Sequence, residues 1–168
     1  MVDKTKAAVS RAKEIAERYD FSYEMIEHGH SGMTSQQASE ALGVDKKFII
    51  KSLLLYDGVK SVGAIIRGSD MLDTEKLEKE SGVHSLRLVP TGKVREVLNF
   101  DVGGIPPTAF KDRGVPAFVD LHVVEMPFVF GSGGTPYTGI KFDPRLLSIK
   151  LGYSVAAIAK PVLQGPNI

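Results

Sequence analysis

The sequence predicts a single α+β domain with a mixed sheet, and three observations carry that reading. A run at 48–56, an Asp57-Gly58 turn and a returning run at 59–67 form a β-hairpin in the middle of the chain. Helix signals are scattered between strands instead of alternating with them regularly, so parallel βαβ units are not the pattern. The 17 glycines gather at a few points and punctuate short elements. A sheet curled into a partial barrel, with helices outside, is one packing that satisfies all three.

Each element has a local cause. Ala8, Ala12, Ile15, Ala16 and Tyr19 recur at helical spacing, which predicts a helix over 4–19. Phe21, Tyr23 and Met25 alternate with polar residues, as in a half-buried strand. Thr34 and Gln37 have capping-box spacing and open a helix that Gly43 ends, and Asp45 can cap one more turn. Asp73 opens a helix that Gly82 stops, residues 85–89 read as a strand, and Thr91 can cap a helix to about Leu98. Residues 103–107, Gly-Gly-Ile-Pro-Pro, must be a turn or loop. Residues 117–120, 128–130 and 137–142 read as strands, with 131–134 as a second glycine loop. Asp143-Pro144 places an N-cap before a proline at the first helical position, and 153–159 closes with a strand. One domain over 1–159 and a loose tail over 160–168 is the expected division.

Composition excludes several chemistries. Cysteine is absent, which removes disulfides, thiolate catalysis and thiolate-bound zinc. The apolar runs are too short to span a bilayer, and the first residues carry charge without an apolar stretch, so a cytoplasmic protein with no membrane role is expected. A net charge of +1 disfavours non-specific wrapping of nucleic acid but allows a local basic patch. Residues 29–32, Gly-His-Ser-Gly, lack one spacer of a nucleophile elbow, and 131–134 lack a Walker ending. His28 and His30 could share a strand face and bind a metal, or belong to an ordinary polar loop; two ligands are too few, so no metal is expected. Asp70 and Asp73 could suggest magnesium, but helix capping explains Asp73 more simply.

Several segments then carry a resemblance when taken in order. Glu27-His28, residues 34–44 and residues 49–54 form the first group. Arg67-Gly68-Ser69-Asp70 with Asp73, Lys76 and Leu77 forms the second. Residues 100–107 and 117–120, Gly133-Gly134 and residues 143–147 form the third. Over roughly residues 20–158 the chain resembles the YbaK-like, prolyl-tRNA-synthetase-associated editing domains. The resemblance implies a mixed α/β fold with a curved, largely antiparallel sheet around a small pocket. It implies a trans-editing hydrolase that frees a wrong amino acid from the 3′ end of tRNA, with no cofactor. Alanine or cysteine on tRNA-Pro are the foremost substrates and serine or threonine the alternatives. Aminoacyl-tRNA is the implied partner, with prolyl-tRNA synthetase as a second.

The family's functional lysine matches Lys51. A strand lysine normally keeps its ammonium in water, but here it interrupts an apolar run and shares a face with Leu53 and Leu55, so its charge needs a partner. The family's Gly-x-x-x-Pro loop matches Gly103, Gly104 and Pro107, where glycine lets the backbone approach a ligand and present its amides. A tight turn alone would explain one of these glycines. Gly133 and Gly134 match a later glycine loop beside the same pocket, or make a plain hairpin connection. His28 matches a position at the pocket entrance. With no Cys and no Ser-His-Asp arrangement, an acyl-enzyme is not expected; the family's chemistry is assisted by the substrate's own 2′-OH or thiol. A catalytically silent tRNA-end or nucleic-acid-binding module, or a small-molecule hydrolase using the same pocket, are the competing readings.

Overall fold

The computed structural model describes residues 4–162. Helix α1 (Lys4–Arg18) buries Ala8, Ala12, Ile15 and Ala16, the face its spacing predicts. Asp20 takes a positive φ and the Phe21 N–H returns to the Ala16 carbonyl, so the chain is still turning where pairing was expected. Strand β1 therefore spans only Glu24–Glu27. Helix α2 (Ser35–Leu42) opens on the Thr34–Gln37 capping box and ends at Gly43 with φ +67°, and Asp45 caps a 3₁₀ turn at Lys46–Phe48. Strands β2 (Ile50–Tyr56) and β3 (Ser61–Arg67) form the hairpin, whose turn Asp57 holds by accepting from the Val59 and Lys60 N–H groups.

A short strand, β4 (Asp70–Leu72), leads into α3 (Thr74–Ser81), which Asp73 caps and Gly82 closes. Strand β5 (Arg87–Leu88) precedes α4 (Thr91–Leu98). Thr91 is not its cap: Pro90 occupies that position with extended backbone and no side-chain bond, and Thr91 is already helical. Single-turn helices α5 (Ala109–Asp112) and α6 (Leu121–Val124) flank β6 (Ala117–Asp120); one turn is too short to show helical periodicity in a sequence. Strands β7 (Val129–Thr135) and β8 (Thr138–Phe142) make a second hairpin, and the expected glycine loop at 131–134 lies inside β7, with a bulge between Ser132 and Thr135. Asp143 accepts from the Arg145 N–H in a turn, and helix α7 starts later, at Leu146–Ile149. The closing strand is two strands, β9 (Ser154–Ala156) and β10 (Ala159–Pro161). Lys160 and Pro161 pair with β4, so the loose tail does not begin at Lys160; residues 163–168 lie outside the described residues.

Among the described residues the strands form three sheets, and none closes into a barrel. One is β1-β8-β7, antiparallel throughout. Another is the pair β10-β4. The largest is β5-β2-β3-β6-β9, antiparallel at β5-β2-β3 and parallel at β3-β6-β9. Its two faces pack on different cores. Ile50, Leu54 and Ile65 join the main cluster with α1 and the β1-β8-β7 sheet, while Leu55, Val62, Ala64 and Ile66 pack with Leu77 of α3. Among the described residues no helix is long and apolar enough to cross a membrane.

The β6 end is locked by Asp120, 1% exposed, whose carboxylate accepts from the His122, Ile158 and Ala159 N–H groups. This grip turns the chain between β9 and β10. Asp120→Ala strands three backbone donors, so it is expected to cost about 3 kcal/mol or more in urea unfolding. Asp120→Asn, which keeps one acceptor oxygen, is expected to cost less.

Candidate active site

Ile49, the residue before β2, makes a single parallel bridge with Phe130 of β7, and among the described residues no ladder between the two strands follows it. Strand β5 covers only Leu55 and Tyr56 of β2. The first half of β2 therefore has a free edge, and between it and β7 lies a cleft of about 500 Å³. That volume falls within the ~300–1,000 Å³ typical of small-molecule sites. One wall is Ile50, Lys51, Ser52 and Leu53 of β2, so both faces of the strand reach the cleft around its open edge. The opposite wall is Phe130, Gly131 and Ser132 of β7. His28 and Met33, Ser35 of α2, and Val102 and Gly103 complete the lining.

Lys51 is half-buried, on the same face as Leu53 and Leu55. Its Nζ donates to the backbone carbonyl of Asp70 at 2.7 Å. That carbonyl is itself fixed: the Arg67 guanidinium grips the buried Asp70 carboxylate with two N–H donors, at 2.8 and 3.3 Å. Burial pulls the Lys51 ammonium below the ordinary lysine range; the Asp70 charge opposes this and Lys46, also on the cleft, adds to it. Gly68, in the same turn, is required by close approach. A Cβ there would lie 2.8 Å from the Lys46 carbonyl oxygen and from the Ser35 side chain, so only glycine lets α2 and the 3₁₀ turn close on β3.

The predicted site residues divide into two groups. Lys51, Gly103 and His28 line the cleft. Gly103 takes φ +88° against Met33, and its N–H has no partner among the described residues. His28 Nδ1 lies 2.6 Å from the His30 carbonyl; that oxygen can only accept, so Nδ1 donates and Nε2 is left for another partner. Gly104, Pro107, Gly133 and Gly134 stand behind the wall. The Gly104 N–H is spent on the Asp101 carbonyl, and a Cβ there would strike the Gly134 carbonyl oxygen at 2.6 Å. The Pro107 carbonyl accepts from the buried Tyr153 hydroxyl at 2.6 Å. Gly134, at φ +115°, packs against the α1 backbone, where a Cβ would meet the Ala8 oxygen at 2.7 Å. Gly133 packs against Thr138. The second glycine cluster thus reaches the cleft through Gly131 and Ser132.

Sequence reasoning also missed Ser52, Thr135 and Thr138. The two threonine hydroxyls pair at 2.9 Å across the β7–β8 turn and line the cleft. Ser52 had a visible signal, since it interrupts the same apolar run as Lys51. Among the described residues no three His, Cys, Asp or Glu side chains come together to hold a metal.

Residues 30–147 match the family model of the aminoacyl-tRNA editing domain. The chain belongs to that family. It is 33% identical over 113 residues to a proline–tRNA ligase of Shouchella clausii, matching 66% of this chain but spanning only 19% of the ligase. An Enterococcus faecalis protein provisionally named a Cys-tRNA(Pro)/Cys-tRNA(Cys) deacylase is 24% identical over 156 residues, 90% of this chain and 94% of the relative. A solved structure provisionally described as a trans-editing enzyme for prolyl tRNA synthetase superposes with a TM-score of 0.81 at 27% identity, over 91% of this chain and 97% of the other.

The lowered pKa of Lys51 has a consequence for stability. The unfolded chain binds that proton more tightly than the folded one, so the charged lysine lowers stability at neutral pH and the deficit is relieved as pH rises through its folded pKa. Replacing it with an uncharged chain of similar length removes the deficit but also the Asp70 bond. Lys51→Met is therefore expected to stay within about 1 kcal/mol of the parent in urea unfolding at pH 7. The variant's stability relative to the parent should fall as pH rises toward the lysine range, because only the parent sheds that deficit.

Proposed function

We propose that the chain removes the wrong amino acid from mischarged tRNA in trans, as an aminoacyl-tRNA deacylase. Alanine or cysteine on tRNA-Pro are the foremost substrates, and serine or threonine come next. The observation that carries this reading is Lys51, a half-buried ammonium tethered by one bond at the free edge of β2 inside a cleft of nucleoside size. The Enterococcus relative, similar over nearly its whole length, and the solved structure support it. The likeness to part of a proline–tRNA ligase supports tRNA-Pro, and a working partnership with prolyl-tRNA synthetase in the cytoplasm.

The chemistry asks little of the protein, because an aminoacyl ester is already activated. Water adds to the ester carbonyl, the bond to the ribose 3′ oxygen breaks, that oxygen takes up one of the water's two protons, the other passes to solvent, and the amino acid leaves as its carboxylate. The protein must position the ester and stabilise the oxyanion. With one N–H committed to the Asp70 carbonyl, Lys51 keeps two donors for the ester or ribose oxygens. The Gly103 amide is a further donor at the same cleft, and His28 Nε2 serves the entrance. The 2′-OH of the terminal ribose, or the thiol of a cysteine substrate, assists the attack. A pocket separates amino acids differing by one methylene by only ~1–3 kcal/mol, so proline is rejected best by excluding its ring.

A panel of mischarged tRNAs tests the reading. At least one, with alanine or cysteine on tRNA-Pro foremost, is deacylated, while prolyl-tRNA survives. Lys51→Met lowers that rate ~100–1000-fold, the usual cost of losing a donor aimed at a developing oxyanion. Lys51→Arg does not fully restore it, because a planar guanidinium cannot replace a compact ammonium. Excess chelator leaves the rate unchanged. Binding of every mischarged tRNA without hydrolysis would indicate a silent tRNA-end module instead, and full activity in Lys51→Met would remove the lysine from the site.

A further inference from the structure

At the end of the cleft where β2 and β7 meet, the chain builds a stack of rings and cations that the hydrolytic chemistry does not use. Phe48, the last residue of the 3₁₀ turn, lies face to face with Phe128, with centroids 4.9 Å apart and planes 15° apart. Phe128 in turn meets Phe130 edge-on at 5.8 Å, and Phe130 lines the cleft. The rings thus run from a half-exposed pair to the cleft wall. Lys47 Nζ lies 5.4 Å from the Phe48 centroid and Lys141 Nζ 4.4 Å from that of Phe128. Lys46 stands beside them on the cleft. Elsewhere on the surface Arg18, Arg95, Arg145 and Lys150 have carboxylate partners, while Lys60, Lys76, Lys79 and Lys93 form no ion pair among the described residues. Lys46, Lys47 and Lys141 form no ion pair among the described residues.

We propose that Phe48 and Phe128, with Lys47 and Lys141, form a stacking platform for the unpaired nucleotide that precedes the aminoacylated end of the RNA. This rests on the editing reading above, and names the part of the substrate held outside the cleft. Three properties point to a single-stranded polyanion with flat bases. The rings are continuous with the cleft, so a nucleotide seated there joins one whose ribose is inside. Among the described residues the cations touch rings but no carboxylate, so their charge is available to the adjacent phosphates. A half-exposed, nearly parallel aromatic pair offers π-faces to a base without demanding its sequence. The bases take the ring faces while the exposed ammonium groups swing to phosphate.

The test is direct binding of a fluorescein-labelled four-nucleotide single-stranded RNA, uncharged, to the full chain by anisotropy at several salt concentrations. Hydrolysis plays no part in this readout. Phe48→Leu, which keeps apolar packing but removes the flat face, is expected to weaken binding ~5–100-fold at every salt concentration. Lys141→Gln is expected to reduce the slope of log affinity against log salt by ~0.7. Both variants should keep the parent's far-ultraviolet circular dichroism and a cooperative unfolding transition. Parental affinity in Phe48→Leu, an unchanged salt slope in Lys141→Gln, or no binding by the parent would each overturn the platform, and would leave the editing reading standing wherever mischarged tRNA is still hydrolysed. A platform that binds RNA on a protein that hydrolyses no ester would be the reverse outcome.

Discussion

Everything at this site depends on one junction. Ile49 and Phe130 join the five-stranded sheet to the three-stranded one by a single bridge, and no ladder follows. Two sheets that are pinned at one point must part elsewhere, and the gap leaves the edge of β2 unpaired. An open strand edge is ordinarily a hazard, because its backbone groups invite another chain. Here the edge lines a cleft to which the 28–35 segment and Gly103 also contribute. The segment is tied in place by bonds from the Gly32 and His28 N–H groups to the Pro136 and Tyr137 carbonyls at the tip of the β7–β8 hairpin.

Lys51 is tolerable in this setting because its partner is prepared in advance. An ammonium on an apolar face would be costly alone. Arg67 holds Asp70, the β3–β4 turn holds the Asp70 carbonyl, and that carbonyl accepts a hydrogen bond from one Lys51 N–H. The Arg67–Asp70 pair, though not in the cleft, therefore positions the group that is. A backbone carbonyl is a weaker counter-group than a carboxylate in direct contact would be, and it leaves the ammonium two further N–H donors. This is the arrangement expected of a residue that is held in place but still has charge to offer a ligand.

Much of this was legible in the sequence, for identifiable reasons. The Thr34–Gln37 box, the Asp73 cap and the Asp57-Gly58 turn are local, and each forms as its spacing dictates. Lys51 announced itself by breaking an apolar run, and alternation placed it correctly beside Leu53 and Leu55. Contacts distant in sequence were not legible. The run at 131–134 looks like a loop by composition, yet it is a strand whose glycines answer to α1, Thr138 and Ile50. Gly104 and Pro107 read as ligand contacts because they stand in the same motif as Gly103, but Asp101 and Tyr153 already occupy their polar groups. The bridge between Ile49 and Phe130, which creates the cleft, joins residues about half the chain apart and leaves no mark on either segment.

The most direct measurement of the central claim is a crystal structure with a hydrolysis-resistant alanyl-adenosine in which an amide replaces the ester. The ligand is predicted to lie between β2 and β7, with Lys51 Nζ within ~3.2 Å of its carbonyl or ribose oxygen and still bonded to the Asp70 carbonyl. A ligand seated elsewhere on the protein, or one in the cleft that Lys51 does not touch, would contradict the account.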